Sequence, residues 1–261
     1  MINTKPCVRI KLTDTKPTIF DSKIGGLGYI PQDKNFPCDS EGNQLRLLAQ
    51  INCSQVDLLL AQIECQILAQ IDCSEVNFEN FPKSGLLQFW ILNNEVSGCD
   101  FDNETKQDGF RVIYYSESEI DRTVTEQEII SKFVKNAYDD EDFFPVKKEC
   151  GMLFTRDIDF DNEEEESEDI CHQIGGYPFF IQEDPRKENS KYEKYDFLLF
   201  QLDSERGKDN DRVMWGDIGI GNFFINSENL KKFDFSDVLY NWDCYFLERI
   251  RCHYEKNNAL C

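Results

Sequence analysis

Residues 172–185 read HQIGGYPFFIQEDP and residues 22–31 read SKIGGLGYIP, so Ile-Gly-Gly followed by an apolar or aromatic run occurs twice. Each triplet precedes a segment of the form Leu-Leu-x-Gln, an aliphatic residue, then Asn or Asp, at 47–52 and 198–203. Gly25 lies 25 positions before Gln50, and Gly175 lies 26 positions before Gln201. The matching order and spacing predict an internal duplication. We expect one half over about 1–150 and a second over about 171–250, within a single domain of residues 1–261.

Alternating apolar residues predict several β-strands. Val8, Ile10 and Leu12 alternate, and strict alternation in 45–52 places Leu47, Ala49 and Ile51 on one face, with Gln50 and Asn52 on the other. Further strands are expected at 85–92, 110–115, 195–203 and 215–225, and a last element begins at Tyr240. Amphipathic patterns predict helices at 117–135, with a capping box at Thr125 and Glu128, and at 227–233. The predicted fold class is α+β: two pseudo-equivalent β-rich halves with a few peripheral helices.

A tandem repeat interrupts the first half. LLAQINCSQV at 47–56 nearly recurs as ILAQIDCSEV at 67–76. Only one copy can occupy a given position in a sheet. Gln50 keeps the spacing seen in the second half, which favours the first copy as the strand and predicts a helix or an excursion at 54–66. The sequence leaves open which copy lies in the sheet.

Composition limits the classes of partner. The 261 residues carry a formal net charge of −22, with 21 Phe and 10 Tyr among 40% hydrophobic residues. Such a chain can build a core, but its field repels nucleic-acid phosphates and anionic membrane surfaces. A basic protein or peptide remains compatible with this charge. The oligomeric state is left open.

The start of the chain and the cysteines bear on location. No apolar segment resembles a signal peptide, and no run approaches the ~18 apolar residues that a membrane span needs, which predicts a cytoplasmic protein. Eleven cysteines occur, and no two form a Cys-x-x-Cys pair. Zinc-ribbon and iron–sulfur sites therefore lack their usual spacing, and reduced cysteines serving as small core residues are expected.

The order of these segments resembles the YwqG-like proteins, a domain-of-unknown-function family found in bacteria and some microbial eukaryotes. The resemblance spans nearly the whole chain and rests on seven ordered segments: 23–26, 45–52, 85–91, 172–186, 198–203, 215–225 and 239–244. It implies a single α+β domain of two β-rich halves and no established activity. Some bacterial relatives look stress-associated or lie near genes of toxins and their antidotes. The tandem repeat, the Glu-rich run and the cysteine-rich C-terminus depart from the family pattern.

Polar residues at the ends of the predicted strands form the best candidate binding site. An amide and an acceptor two residues apart on a strand, with tryptophans nearby, are typical linings of a polar ligand pocket. The alternative is structural: such groups could instead satisfy buried backbone where the halves meet. The candidate residues are Gln50, Asn52, Gln201, Asp203, Trp215, Asp217, Trp242 and Asp243. In 215–225 we expect Gly219 and Gly221 to leave room for a ligand or a crossing chain.

The acidic run at 157–168 matches part of the EF-hand pattern of calcium-binding loops. Residues 157–168 carry carboxylates at positions 1, 3, 5 and 12 of an EF-hand pattern. Asn162 stands where the sharp turn calls for glycine, and Glu164 stands where an apolar residue is expected. We therefore predict an acidic mobile loop at 157–169 and no metal site.

Catalytic patterns are sparse. His172 and His253 each follow a cysteine directly, and adjacent residues in a strand point to opposite faces, which disfavours a thiolate–imidazole pair. No phosphate loop, nucleophile elbow or dinucleotide fingerprint occurs. The sequence predicts a non-enzymatic binding or interaction module without a cofactor. The alternative is a hydrolase using the strand-end carboxylates of Asp196, Asp203, Asp217 and Asp243.

Overall fold

A computed structural model describes residues 4–56, 77–135, 142–161, 171–207 and 210–245. The second copy of the tandem repeat at 67–76 lies outside these ranges, as does most of the segment at 54–66. Most of the acidic run, the C-terminus beyond 245, His253, and four of the cysteines also lie outside them. The first copy of the repeat forms a strand at Arg46–Asn52.

Twelve strands occur in the described part of the chain. They are β1 Thr4–Thr13, β2 Lys23–Ile24, β3 Arg46–Asn52, β4 Leu86–Ile91, β5 Phe110–Tyr115, β6 Cys150–Phe160, β7 Gln173–Gly175, β8 Phe197–Asp203, β9 Glu205–Arg206, β10 Asp211–Val213, β11 Gly219–Ile225 and β12 Val238–Cys244. Ten of them form one antiparallel sheet in the order β12-β11-β8-β7-β1-β6-β2-β3-β4-β5, and β9 pairs with β10.

The fold is mostly β, so the predicted α+β class was wrong. The described α-helices are short: residues 53–56, Glu126–Ile130, Pro185–Glu188 and Ser227–Leu230. The capping box at Thr125 and Glu128 is present as predicted. The helix nevertheless ends after five residues, because only Ile129 is buried in it and Phe133 and Val134 are exposed. Without a continuous buried stripe, a longer helix gains little from packing. Among the described residues, no helix is long and apolar enough to cross a membrane.

The ladder between β1 and β6 joins the two halves of the sheet. Its register runs from Thr4 opposite Phe160 to Thr13 opposite Gly151. Val8, Ile10 and Leu12 point into the main core, as their alternation predicts. The prediction of a loop beginning at Asp157 was wrong, because 157–160 continue β6.

The sheet coils until it is nearly closed like a barrel. Phe89 of β4 lies 4.8 Å from Phe200 of β8 and 4.9 Å from Phe223 of β11, measured between ring centroids. These aromatic contacts join the inner faces of both halves in one core. A backbone hydrogen bond from Tyr240 N–H to the carbonyl of Glu104 links the last strand to the loop before β5.

Strands β3 and β8 each contain a β-bulge at the equivalent position. The pairing of β3 with β4 skips Leu48, and the pairing of β8 with β11 skips Leu199. A bulge reverses the alternation of faces, so Leu47 joins a small outer core while Ala49 and Ile51 join the main one. The strictly alternating pattern predicted for 45–52 was therefore wrong, although Gln50 and Asn52, beyond the bulge, do share a face.

Candidate functional site

Gln50 is fully buried and bonded to backbone. Its Oε1 accepts from Tyr29 N–H at 3.0 Å, and its Nε2 donates to the carbonyls of Ile19 and Asp21 at 2.9 Å each. Gln88 of β4 donates to Gln50 Oε1 and to the Tyr29 carbonyl at 2.8 Å. These bonds fix the loop that follows the first Gly-Gly turn against the sheet.

Asn52 continues the same arrangement. Its backbone N–H donates to Ser22 Oγ at 2.8 Å, and its Nδ2 donates to the Phe20 carbonyl at 3.1 Å. The geometry at Gln50 and Asn52 is thus that of the structural alternative, in which polar side chains satisfy buried backbone.

Gln201 holds the loop after the second Gly-Gly turn in the same way. Its Oε1 accepts from Phe179 N–H at 2.8 Å, and its Nε2 donates to the Cys171 carbonyl at 2.8 Å. Asn222 of β11 donates to the Phe179 carbonyl at 3.0 Å, as Gln88 does to Tyr29 in the first half. The two glutamines therefore lie under separate loops, and the structure does not bring them together.

Trp215 and Asp217 lie in a turn before β11. The predicted strand at 215–225 begins only at Gly219, so its expected alternation does not reach these two residues. Trp215 is buried, and a Cβ added at Gly221 would lie 2.4 Å from its ring. The space at Gly221 is thus filled by the chain's own tryptophan, while Asp217 is exposed.

Trp242 and Asp243 contact different parts of the chain. Trp242 stacks on Trp215 with ring centroids 5.9 Å apart, and its Nε1 donates to the Val96 carbonyl at 2.7 Å. Asp243 Oδ2 accepts from Gln182 N–H at 2.9 Å. The remaining carboxylate of the hydrolase alternative, Asp196, accepts from Ser227 N–H at 2.7 Å, so these acids are dispersed.

An open cleft of about 680 Å³ lies beside the second Gly-Gly turn. Gly175 and Gly176 adopt φ of 70° and 73°, a left-handed conformation that favours glycine, and lead the chain across the outer face of β1 and β6. The cleft is lined by Lys5, Arg9, residues 157–161, Cys171, residues 177–180, Asp184, Arg186, Lys187 and Asp203. Of the eight predicted site residues, Asp203 alone lines it.

Arg9 forms the floor of the cleft. Its guanidinium donates to Asp159 Oδ1 at 2.8 Å, to Asp157 Oδ2 at 3.4 Å and to Cys171 Sγ at 2.7 Å, and it contacts Gln173 Oε1. Asp159 also accepts from Tyr177 N–H at 2.8 Å, which ties the aromatic loop to β6. The sequence reasoning missed Arg9. Its alternation with Val8 and Ile10 places it on the outer face and was the available signal.

Cys171 and Asp203 lie together at one side of the cleft. Asp203 Oδ2 accepts from Cys171 N–H at 3.1 Å, and burial raises the pKa of this carboxyl. Burial also raises the pKa of the Cys171 thiol to about 11, although the Arg9 charge opposes the shift. The thiol is therefore protonated at neutral pH, which does not suit a nucleophile.

His172 is buried in a charged network below the cleft. Its Nδ1 accepts from Asp203 N–H at 3.0 Å, which leaves the proton on Nε2 to donate to Glu205 Oε2 at 2.9 Å. Arg212 donates to Glu205 Oε1 at 2.5 Å. Both imidazole nitrogens are thus occupied away from Cys171, in agreement with the geometry expected for sequence neighbours.

Aromatic side chains form the upper wall of the cleft. Phe179 is 41% exposed, and Lys5 Nζ lies 4.6 Å from the centroid of the Tyr177 ring. On the other side of the loop, Arg186 stacks on Phe224 at 4.1 Å and pairs with Asp184 at 2.7 Å. The cleft therefore offers an apolar surface beside charged groups.

The charges of the cleft nearly balance. Its lining has four basic side chains and five carboxylates, and Arg9 and Arg186 are already paired with aspartates. Within the described ranges, no three His, Cys, Asp or Glu side chains are grouped so as to hold a metal ion. Asp157 and Asp159 stand on a strand and bind Arg9, so they do not form the start of a calcium loop.

Comparison with known proteins gives a family and no activity. The model of a domain of unknown function, DUF1963, matches residues 22–63 and 61–244. No curated protein matches significantly. Because the matched residues make up most of the chain, the protein belongs to the DUF1963 family of domains of unknown function.

Proposed function

We propose that this protein is a non-enzymatic binding module whose cleft takes a basic segment of a partner protein. One observation carries the proposal: exposed aromatic side chains and carboxylates line one open cleft. In particular, the Asp157 side chain is 54% exposed and Asp161 is also exposed. The net charge of −22 attracts a basic partner and speeds its encounter.

The basic groups of the cleft do not oppose this proposal. Arg9 and Arg186 are paired with aspartates, and the Lys5 ammonium lies over the Tyr177 ring. A lysine or arginine of the partner would meet Asp157 and Asp161, while an apolar side chain would cover Phe179. Because the candidate carboxylates are dispersed and the cysteine thiol is protonated, no observation favours the hydrolase alternative.

The resemblance supports the finer parts of the proposal. We place the chain among the YwqG-like members of its family, in the cytoplasm, with halves that arose by duplication. The equivalent bonds of Gln50 and Gln201 are what a duplication would leave behind. A stress-related or toxin-antidote role would fit a protein that binds a partner without chemistry, and co-purification from its host under stress would identify that partner.

Binding of a fluorescently labelled lysine-rich peptide tests the proposal. We expect binding that weakens when salt is raised, because exposed charges are screened. Asp157→Asn should weaken binding about two- to fivefold, as expected for an exposed ion pair of about 0.5–1 kcal/mol. Asp217→Asn, which removes the same charge outside the cleft, is the matched control.

Three outcomes would contradict the proposal. The first is binding that is insensitive to salt, and the second is equal weakening by both variants, which would indicate only the general field of the acidic chain. The third is a loss specific to Asp217→Asn, which would move the site to the turn before β11.

A further inference from the structure

Within the part of the chain that the structure describes, strand β6 has one edge without a partner strand over most of its length. β2 pairs with it only at Cys150 and Gly151, and the next backbone bond runs from Met152 N–H to the Ser22 carbonyl. Beyond Met152, the ladder with β1 continues without a shift in register to Phe160. The segment from Phe154 to Phe160 therefore has β1 on one side only, among the residues that the structure describes.

Register parity identifies the free backbone groups. In an antiparallel ladder, alternate residues bond to opposite neighbours. Met152 bonds toward β2, so the N–H and C=O groups of Phe154, Arg156, Ile158 and Phe160 point the same way, away from β1. On β1, Ile10 N–H bonds to His172 on its far side, which gives the same parity from the other strand. Among the described residues, the Ile158 N–H donates to Asp157 Oδ1 at 2.9 Å, and no other hydrogen bond from these four residues' backbone groups is present.

The two faces of this edge differ in chemistry. On the face shared with the main core, Phe154, Arg156 and Ile158 are only partly buried and Phe160 is exposed, so this face is apolar except at Arg156. On the outer face stand Asp157 and Asp159, at the wall of the cleft. An added strand would cover the apolar face and place its other side chains next to the carboxylates.

We propose that β6 binds an extended, antiparallel segment of a basic partner protein by β-strand addition, with apolar and basic residues alternating in that segment. Strand addition supplies affinity through the backbone and specificity through alternate side chains. Apolar residues of the segment lie opposite Phe154, Ile158 and Phe160, and basic residues lie opposite Asp157 and Asp159. This inference rests on the proposed function and names how its partner is held.

A second copy of the chain fits the edge poorly. If two β6 strands pair with Asp157 at the centre, the Asp157 residues of the two copies lie opposite each other. If Ile158 is at the centre, Asp157 of each copy lies opposite Asp159 of the other. Pairing about Arg156 places two guanidinium groups opposite each other. Like charges directly across a strand pair are destabilising, and two chains of net charge −22 repel each other.

Alternating Lys-Val peptides give the decisive test, since N-methylation removes a backbone donor and keeps the side chain. In the proposed pairing, the valine N–H groups point at β6 and the lysine N–H groups point away. N-methylation of the valines should abolish binding, whereas N-methylation of the lysines should leave it within about twofold of the parent peptide. A peptide of equal composition in Lys and Val blocks should bind more weakly than the alternating one.

Substitution in β6 provides a second measurement. Ile158→Pro removes an outward N–H, and with it the bond to Asp157 Oδ1, without touching the ladder to β1, a position where proline is tolerated on an edge strand. It should abolish binding of the alternating peptide, and Ile158→Val should retain it. Circular dichroism and thermal unfolding check that both variants fold, and the peptide series alone decides the question if Ile158→Pro does not fold.

The outcomes separate the two proposals. Equal binding of both N-methylated peptides would overturn strand addition and leave the cleft as the binding site. Failure of every basic peptide, including the lysine-rich one, would overturn the proposed function as well. A concentration-dependent dimer in analytical ultracentrifugation that Ile158→Pro abolishes would show that a second copy occupies the edge, which also contradicts a basic partner there.

Discussion

The two loops that follow the Gly-Gly turns are held by equivalent hydrogen bonds. The first loop is packed against the sheet, whereas the second forms the wall of an open cleft. The N–H groups of Tyr29 and Phe179 each donate to a glutamine side chain, and their carbonyls each accept from a side-chain amide on the next strand. Tyr29 is fully buried, whereas Phe179 is 41% exposed. The same backbone frame therefore supports either a packed loop or a cleft wall, and the side chains decide which.

The two halves also differ at the first residue of the short strand that leads into each Gly-Gly turn, β2 or β7. Lys23 is 1% exposed and pairs with Glu149 at 2.9 Å, which fills the first half with its own ion pair. Gln173 stands at the matching place in β7, where it contacts Arg9 of β1. In the second half, the positive charge at this place therefore belongs to Arg9 of β1, which forms the floor of the cleft. The cleft lies where the loop frame of the second half is left incompletely filled.

The largest expected effect is the loss of the buried glutamines. Gln50→Leu removes bonds to four groups and leaves buried donors and acceptors unsatisfied, which should lower the free energy of unfolding by about 4 kcal/mol. Gln201→Leu removes two such bonds and should cost about 2 kcal/mol. Urea unfolding of both variants measures the difference. Equal losses would mean that the two loops are held equally tightly, despite the different number of bonds.

A smaller effect is expected at Gly221. In the first half Leu87 stands opposite Ile51, whereas Gly221 stands opposite Leu202 and its space is taken by Trp215. Gly221→Ala should destabilise the protein by about 2 kcal/mol through overpacking. Thermal unfolding and tryptophan fluorescence would detect both the loss and the displaced ring. An unchanged transition would show that Trp215 moves freely.

The smallest effect is confined to acid pH. Asn52 N–H bonds to Ser22, while Asp203 N–H bonds to His172, which adds the His172–Glu205–Arg212 network to the second half alone. Although burial opposes it, hydrogen bonds from His172 and Arg212 lower the pKa of Glu205. The folded state therefore holds fewer protons on Glu205 than the unfolded state. This stabilisation is present above the ordinary pKa of 4.5 and is lost as pH falls through the lowered value.

Glu205→Gln removes the titrating group and should flatten the loss of stability below pH 4.5, the ordinary pKa of this carboxyl. Urea unfolding at a series of pH values measures the slope. Glu41→Gln, at an exposed position in the first half, should leave the slope as it is. If the slope of Glu205→Gln matches the unsubstituted protein, the network does not contribute to acid unfolding.

Local patterns predicted the strands well. The segments at 45–52, 85–92 and 110–115 are strands because their apolar residues and flanking turns act over a few neighbouring positions. The bulges at Leu48 and Leu199 escaped prediction, since they depend on how β4 and β11 align with their partners. The helix predicted at 117–135 failed for a similar reason: its capping box is local, but the surface that its apolar face needs is not there.

The candidate site was less predictable than the fold. The sequence singled out Asp203 of the cleft and gave Gln201 a role as a binding residue, whereas Gln201 positions the aromatic loop. Arg9, Asp157 and Tyr177 are far apart along the chain, and only the ladder between β1 and β6 brings them together. Their grouping depends on strand order, which the repeat of Ile-Gly-Gly does not specify.

By itself, the sequence determined the charge, the positions of most strands and the matching loops of the two halves, because these depend on composition and short-range pattern. The tertiary structure decided the mostly β character, which residues line the cleft, and the edge of β6 that no described strand covers. These depend on contacts between distant segments and on where β2 stops pairing. A strand's own residues set its faces, but only its neighbours determine whether its edge is satisfied.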